Sequence, residues 1–227
     1  LKQKKALVNE IPWPKLVELP EKDKQQWYDA AESDWKDVLY WKGVRVLDKQ
    51  ETAQVKADPN AKRRCLRSRI VWRDKNAALT TPEVKAKARI TVQGFNDPDP
   101  FTLDRDAQPI VVTIMMQVIA SLGWQLFGSD IKSAFLQGGQ AQYRPDRIYM
   151  HQPLDGFLKK LPGVDPTVLL GATGSVVGLV NCPHLFYNRF RQVFVALGWH
   201  QHSADACCCL YIEAKAIIAI RCETGTM

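Results

Sequence analysis

An α+β architecture, with an antiparallel sheet packed on helices, is predicted by three stretches of the chain. From about Lys22 to Trp41, residues Trp27, Ala30, Ala31, Asp34, Val38 and Trp41 recur at three- and four-residue spacing among polar neighbours. That is the pattern of an amphipathic helix, and Gly43 is expected to end it. In RCLRSRIVWRDK and again in KAKARITVQGF, basic and apolar residues alternate on either side of a turn around Asn76 to Pro82, as in two strands. Pro109 to Gly123 reads as a buried helix, with Pro109 at its first position and Ile110, Ile114, Met115, Val118, Ile119 and Leu122 on a broad apolar face. Met115 and Met116 read as core filler.

The remaining elements follow in order. Leu1 to Pro20, punctuated by Pro12, Pro14 and Pro20, reads as a basic linker or arm over residues 1–21. Asn96 to Gln108 is a polar, Pro-containing loop. Leu185 to Leu197 reads as a second amphipathic helix, with Phe186, Phe190, Val193, Phe194 and Leu197 on one side and Gly198 as its stop. SADACCCLYI reads as a strand, and Ile217 to Ile220 as the strand that returns beside it.

Composition narrows the function classes. A 46% hydrophobic content in 227 residues can bury a real core. The formal net charge of +7 points to an anionic partner, with nucleic acid first among candidates beside the plainer reading of a basic globular protein. No apolar run approaches the roughly eighteen residues of a membrane span, so no membrane partner is expected. Cys207, Cys208 and Cys209 are consecutive and would alternate faces in a strand, which suits reduced buried thiols better than a disulfide framework. No C-x₂-C pair faces a second pair, so zinc is not expected. Gly171 to Tyr187 is glycine-rich but contains neither GxGxxG nor a P-loop.

Two features carry chemistry. Between Lys56 and Arg89, the cations Lys56, Lys62, Arg63, Arg64, Arg67, Arg69, Arg73, Lys75, Lys85, Lys87 and Arg89 stand against Asp58, Asp74 and Glu83. With the alternation described above, basic residues on one face of two strands make a groove wall for phosphate. The second feature is WQLFGSDIKSAFLQGG, Trp124 to Gly139, which sets Asp130 after the apolar pair Leu126 and Phe127. A carboxylate at a strand end beside a Gly-bounded surface suits a hard cation and phosphoryl transfer. Ser129 and Asp130 read equally well as caps of a helix starting at Ile131.

WQLFGSDIKSAFLQG resembles the first catalytic motif of copia-type LTR-retrotransposon reverse transcriptases, whose usual form is close to DVKtAFLnG. The resemblance runs over roughly residues 25 to 220. WYDAAESDW is similar to the family's W-x-x-A-x-x-x-E helix, KARITVQGF to its KARLVAKGF strand, and IYMHQPLDGF to its iYM-x-qP-x-GF. GLVNCPHLFY is similar to GLkQaPR-x-Wy, with Gly178, Leu179, Pro183 and Tyr187 matching. Val177, Val180, Asn181, His184 and Phe186 depart from the usual residues.

The resemblance implies a fingers and palm arrangement with two-metal nucleotidyl transfer. Residues 22–227 would form this domain, with fingers strands at about 56–95 and palm at about 109–227. Asp130 and the Ile131 carbonyl would bind metal, Mg²⁺ or Mn²⁺. Lys87 and Arg89 would hold the triphosphate of a deoxynucleoside triphosphate, with Gly178 and Asn181 beside nucleotide and template. Phe135 would screen against a ribose 2′-OH, or serve core packing alone. RNA template and DNA primer would be the partners.

The family's returning strand ends in Val-Asp-Asp, whereas this chain continues RCETGTM, with Glu223 and Thr224 at the two aspartate positions. Glu223 could reach one metal, but Thr224 supplies no anionic ligand. Two-metal chemistry needs carboxylates to hold cations about 4 Å apart. The domain is therefore expected to be inactive. It is also expected to be truncated or degenerate at its C-terminus, with an incomplete sheet, and to begin inside a longer product.

Overall fold

The computed structural model describes residues 10–77, 83–98, 109–139, 147–153, 165–203, 205–211, 213 and 215–219. Helices and mainly antiparallel sheets are mixed along the chain, in agreement with the α+β expectation. The first long element is α2, Glu21–Tyr40, after a short α1, Trp13–Val17. It buries Trp27, Ala31, Trp35 and Val38, a face that includes Trp35 and leaves Trp41 outside the helix as its C-cap. The left-handed residue after it is Lys42 (φ 53°), not Gly43 as the sequence suggests. Gly43 serves a different need, because a Cβ there would stand 3.1 Å from the Ser175 carbonyl oxygen.

Strand β1, Val44–Val46, leads into α3, Lys49–Ala57, and α4, Pro59–Arg63. Asp48 and Glu51 form a reciprocal capping box, and Asp58 with Pro59 starts the second helix, so Lys56 to Arg63 is helical rather than part of the basic strands. Short β2, Cys65–Leu66, precedes the basic hairpin of β3, Ser68–Asp74, and β4, Ala86–Val92. Arg73 lies opposite Lys87, Val71 opposite Arg89 and Arg69 opposite Thr91. The cations therefore share one face, as the alternation predicts, while Ile70, Trp72, Ala88, Ile90 and Val92 enter the core.

The N-terminal arm is docked from Glu10 onward. Ile11 donates its N–H to the Trp72 carbonyl at 2.8 Å, Trp13 stacks on Trp72, and Leu16 is wholly buried. Proline spacing announces an irregular chain but says nothing of the apolar Ile11, Trp13 and Leu16 that bind it to the sheet.

A second sheet has the order β1-β6-β5-β2, with β5 at Tyr149–Met150 and β6 at Leu170–Ala172. Its β2 and β5 run parallel and its other pairs antiparallel. It shares one core with α2 and the hairpin through Leu66, Met150, Leu170 and Val176. Helix α6, Cys182–Ala196, ends at Gly198 (φ 87°), with the Trp199 N–H bonded back to the Phe194 carbonyl. Its first half is buried, while Val193 and Leu197 on the expected apolar side are exposed.

Strand β7, His200–Gln201, pairs with β8, Cys208–Tyr211, and β8 with β9, Ala216–Ala219, the expected returning strand. Cys65, Cys182, Cys207, Cys208 and Cys209 are free thiols, the last four buried. Burial, with Asp205 nearby, pushes the Cys208 thiol up to about 11.

Two expectations fail in the middle of the chain. Helix α5, Pro109–Leu122, forms but is not buried, with Ile114 56% and Leu122 58% exposed. Met116 is likewise exposed and does not fill a core, although the Met115 sulfur lies 3.6 Å from the Cys208 sulfur. Residues 124–131 form no strand, and Leu126 and Phe127 are exposed. A strand requires a neighbour to accept its ladder, and among the described residues Leu126 and Phe127 have none, while α5 meets the rest of the fold along Val112 and Met115.

Candidate functional site

The cations of the hairpin and the Asp130 segment meet in one cleft. It encloses about 760 Å³ between α2, the basic face of the hairpin and residues 130–136, with Val177 and Phe186 closing one side. Lys87, Arg89, Asp130, Ile131 and Phe135 all line it. Lys75, Lys85 and Lys132 add cations to its wall, and Asp34 and Asp37 of α2 add carboxylates.

Each side is positioned locally. β4 presents Lys87 and Arg89 on alternate positions because Ala88, between them, and Ile90, after Arg89, are drawn into the core. Asp130 sits on exposed irregular chain, neither at a strand end nor capping a helix. The following short 3₁₀ helix, Ala134–Gly138, begins after Ser133, which takes the left-handed conformation (φ 52°). That helix is anchored by buried Leu136 and by Phe135, whose ring meets Phe186 edge-on at 6.3 Å between centroids. Phe135 thus packs on the core while one side of it borders the cleft.

Gly178 and Asn181 lie elsewhere. Gly178 (φ 98°) is pressed against β4, where a Cβ would meet the Val92 carbonyl oxygen at 2.1 Å. Asn181 is buried at the start of α6, and its Oδ1 has no hydrogen-bond partner among the described residues. Their segment reaches the cleft through Val177 and Phe186. Glu223 lies outside the described residues.

Five cations, Lys75, Lys85, Lys87, Arg89 and Lys132, line the cleft beside three carboxylates, Asp34, Asp37 and Asp130. Burial first, and then the adjacent Arg89 and Lys75 cations, hold the Lys87 ammonium below its ordinary range. An anion bound there would relieve that repulsion. Sequence reading missed Asp34 and Asp37 as site residues, placing Asp34 only on a helix face. Asp34 Oδ2 accepts the Ile90 N–H at 2.7 Å, and Asp37 accepts the Ser133 hydroxyl at 2.9 Å with Lys132 at 3.4 Å. The one signal available was their spacing of three on a helix, which puts both on one face.

Burial raises the Asp34 carboxyl to about 6, against the opposing pull of the Ile90 amide, Arg89 and Lys87, with Asp37 adding to the rise. The native state therefore holds this proton more tightly than the unfolded chain. The resulting stabilisation is complete below the ordinary value of 3.8 and is lost as pH rises through about 6. The full difference corresponds to about 3 kcal/mol, and residual solvent contact reduces the expected figure to about 2 kcal/mol. Asp34→Asn, which keeps an acceptor for the Ile90 amide, is expected to be more stable than the natural chain by that amount at pH 7.5 and equal to it near pH 4. Urea titrations at both pH values test this, and a variant less stable at pH 7.5 would contradict it.

The donors among the described residues do not make up a two-metal centre. Among the described residues no three His, Cys, Asp or Glu side chains are grouped to hold a metal ion. Asp34 accepts the Ile90 N–H and Asp37 is held by Ser133 and Lys132, which leaves Asp130 as the remaining carboxylate among the described residues that line the cleft.

Residues 50–223, most of the chain, match the family described as reverse transcriptase (RNA-dependent DNA polymerase), and the chain belongs to that family. Its relatives are products of mobile elements. It is 24% identical over 136 residues to the Retrovirus-related Pol polyprotein from transposon RE1 of Arabidopsis thaliana, a match covering 58% of this chain and 9% of the relative. It is 28% identical over 128 residues to that from transposon TNT 1-94 of Nicotiana tabacum, covering 55% and 9%. The match thus spans less than a tenth of the length of these polyproteins. No solved structure matches the chain. Beside that family match, the relatives are Pol polyproteins of plant transposons, in keeping with the resemblance to retrotransposon reverse transcriptases. The family acts on nucleic-acid templates with nucleotide substrates and divalent metal ions. No helix among the described residues is long and apolar enough to cross a membrane.

Proposed function

We propose that the cleft binds a deoxynucleoside triphosphate and that the basic hairpin face lies along an RNA template paired with a DNA primer. The supporting observation is that Lys87, Arg89, Asp130, Ile131 and Phe135, drawn from separate stretches of the chain, border one cavity. Lys87 and Arg89 neutralise the phosphates, and the guanidinium fixes their orientation through paired N–H donors. Phe135, immobilised against Phe186, sets a rigid edge where the sugar lies and excludes a 2′-OH. Arg69 and Arg73, on the same hairpin face, extend the phosphate contact to the template. Residues 22–227 are read as fingers, at about 56–95, and palm, at about 109–227, with the docked arm before them.

Mg²⁺, or Mn²⁺ in its place, would supply charge stabilisation of the attacking and leaving oxygens. Asp130 is one carboxylate toward that task, and Thr224 stands where a second belongs. The proposal accordingly stops at binding: this chain holds nucleotide and template without turnover.

Titration of the chain with a fluorescent deoxynucleoside triphosphate tests the binding half. Lys87→Ala with Arg89→Ala is expected to weaken affinity about tenfold or more, the value of losing charge-assisted phosphate bonds. Unchanged affinity would remove the cleft from nucleotide binding. Primer extension on an RNA template with Mg²⁺ or Mn²⁺ tests the other half. No extension is expected, and extension that Asp130→Asn abolishes would show that the metal centre is complete.

A further inference from the structure

We propose that Asp34 and Asp37 are positioning residues that brace the cleft, fixing the basic strand β4 and the Asp130 segment at a set distance from a common helix. The role rests on the nucleotide-binding reading only in what the cleft is for. The brace itself stands on geometry.

The two carboxylates lie one helical turn apart on α2, which is anchored in the core by Trp27, Ala31, Trp35 and Val38. Asp34 reaches the β4 backbone and takes the amide of Ile90, the core residue next to Arg89. Asp37 reaches the other wall and takes the Ser133 hydroxyl, with Lys132 alongside. Ser133 is the left-handed residue at which the irregular Asp130 segment turns into the 3₁₀ helix carrying Phe135. The segment has no strand pairing of its own; Leu136 and Phe135 anchor the 3₁₀ helix on the core and on Phe186, and the Asp37 contact is the side-chain tie from α2 at the turn before it. One helix therefore links the strand that carries Lys87 and Arg89 to the turn between Asp130 and Phe135. A carboxylate beside these cations opposes anion binding electrostatically, so what it contributes to the cleft is structural.

That opposition makes the test decisive in sign. If charge were the whole effect, removing either carboxylate would tighten anion binding. If position matters, Asn and Ala must differ, because Asn keeps the acceptor and Ala does not. The probe is inorganic tripolyphosphate in metal-free buffer, titrated into the full chain and into the Asn and Ala variants of both positions. Asp34→Asn and Asp37→Asn are expected to bind as tightly as the natural chain or tighter. The Ala variants are expected to bind at least about fivefold more weakly, the value of one net hydrogen bond. Ala variants that bind as tightly as the Asn variants overturn the brace.

Should Asp34→Ala fail to fold, the Asp37 pair carries the comparison alone. Binding that ignores Lys87→Ala with Arg89→Ala would count against the nucleotide reading, and amide hydrogen exchange without ligand then decides the brace. Faster exchange over residues 131–136 in Asp37→Ala, restored in Asp37→Asn, supports it. Equal protection in both overturns it.

Discussion

Trp72→Ala is expected to cost about 3–5 kcal/mol and to release the N-terminal arm from the domain. Trp72 is 2% exposed at the centre of β3. One face stacks on Trp13 at 5.7 Å between centroids, and its edge meets Trp27 of α2 at 6.5 Å. Three separate stretches of sequence thus share one side chain: the arm, the long helix and the basic hairpin. Truncation would leave a void bounded by α1, α2 and β3, which a sheet held on one side by β4 cannot close by collapse. The Ile11 amide bond to the Trp72 carbonyl would survive chemically but lose the packing that holds it in place.

Denaturant unfolding would measure the loss. Proteolysis near residues 10–20 would report the released arm, since exposed backbone is what a protease needs. Trp72→Phe retains much of the buried aromatic surface and is expected to cost less than half as much. A cost below about 1 kcal/mol for Trp72→Ala would mean that the arm and helix do not depend on this contact.

The same packing explains what sequence reading recovered and what it did not. The hairpin was readable because Ile70, Trp72, Ala88, Ile90 and Val92 hold one face in the core, so Arg69, Arg73, Lys87 and Arg89 fall on the other by position alone. The α2 helix was readable for the same reason at a longer period, although Lys42 rather than Gly43 takes the left-handed turn. The capping box Asp48-Lys-Gln-Glu51 and the Asp58-Pro59 start were visible local signals, and the basic run obscured them.

Residues 124–131 are a different case. Apolar composition marks Leu126 and Phe127 as strand-forming, but a strand exists only where a neighbour bonds to it, and that is a property of distant chain. The contribution of α2 to the cleft was also hidden. Asp34 and Asp37 act across 56 and 96 positions of sequence, and nothing local to a helix reveals what its polar face meets.

Gly178→Ala separates structural from ligand-binding roles at the position where family resemblance suggested nucleotide contact, and it is expected to cost about 3 kcal/mol or more. Two independent penalties combine. The backbone at φ 98° is a conformation that L side chains rarely adopt, which by itself costs about 1–2 kcal/mol. The added Cβ would also lie 2.1 Å from the Val92 carbonyl oxygen and 2.8 Å from the Val92 nitrogen, distances that only a backbone shift can relieve. Gly94 is the counterpart from the other side, since a Cβ there would stand 2.0 Å from the Gly178 carbonyl oxygen.

The two glycines let β4 and the segment before α6 approach backbone to backbone. The Val92 N–H bond to the Val177 carbonyl at 2.9 Å depends on that approach. Separating them would tilt β4, and with it Lys87 and Arg89. The expected result is therefore a large loss of stability together with weaker triphosphate binding, both measured on the folded fraction. If Gly178→Ala kept its stability and lost only nucleotide affinity, the glycine would be a contact for the nucleotide itself. Gly94→Ala then supplies the control, because it forces the same two strands of backbone apart from the opposite side and is expected to reproduce the Gly178→Ala phenotype.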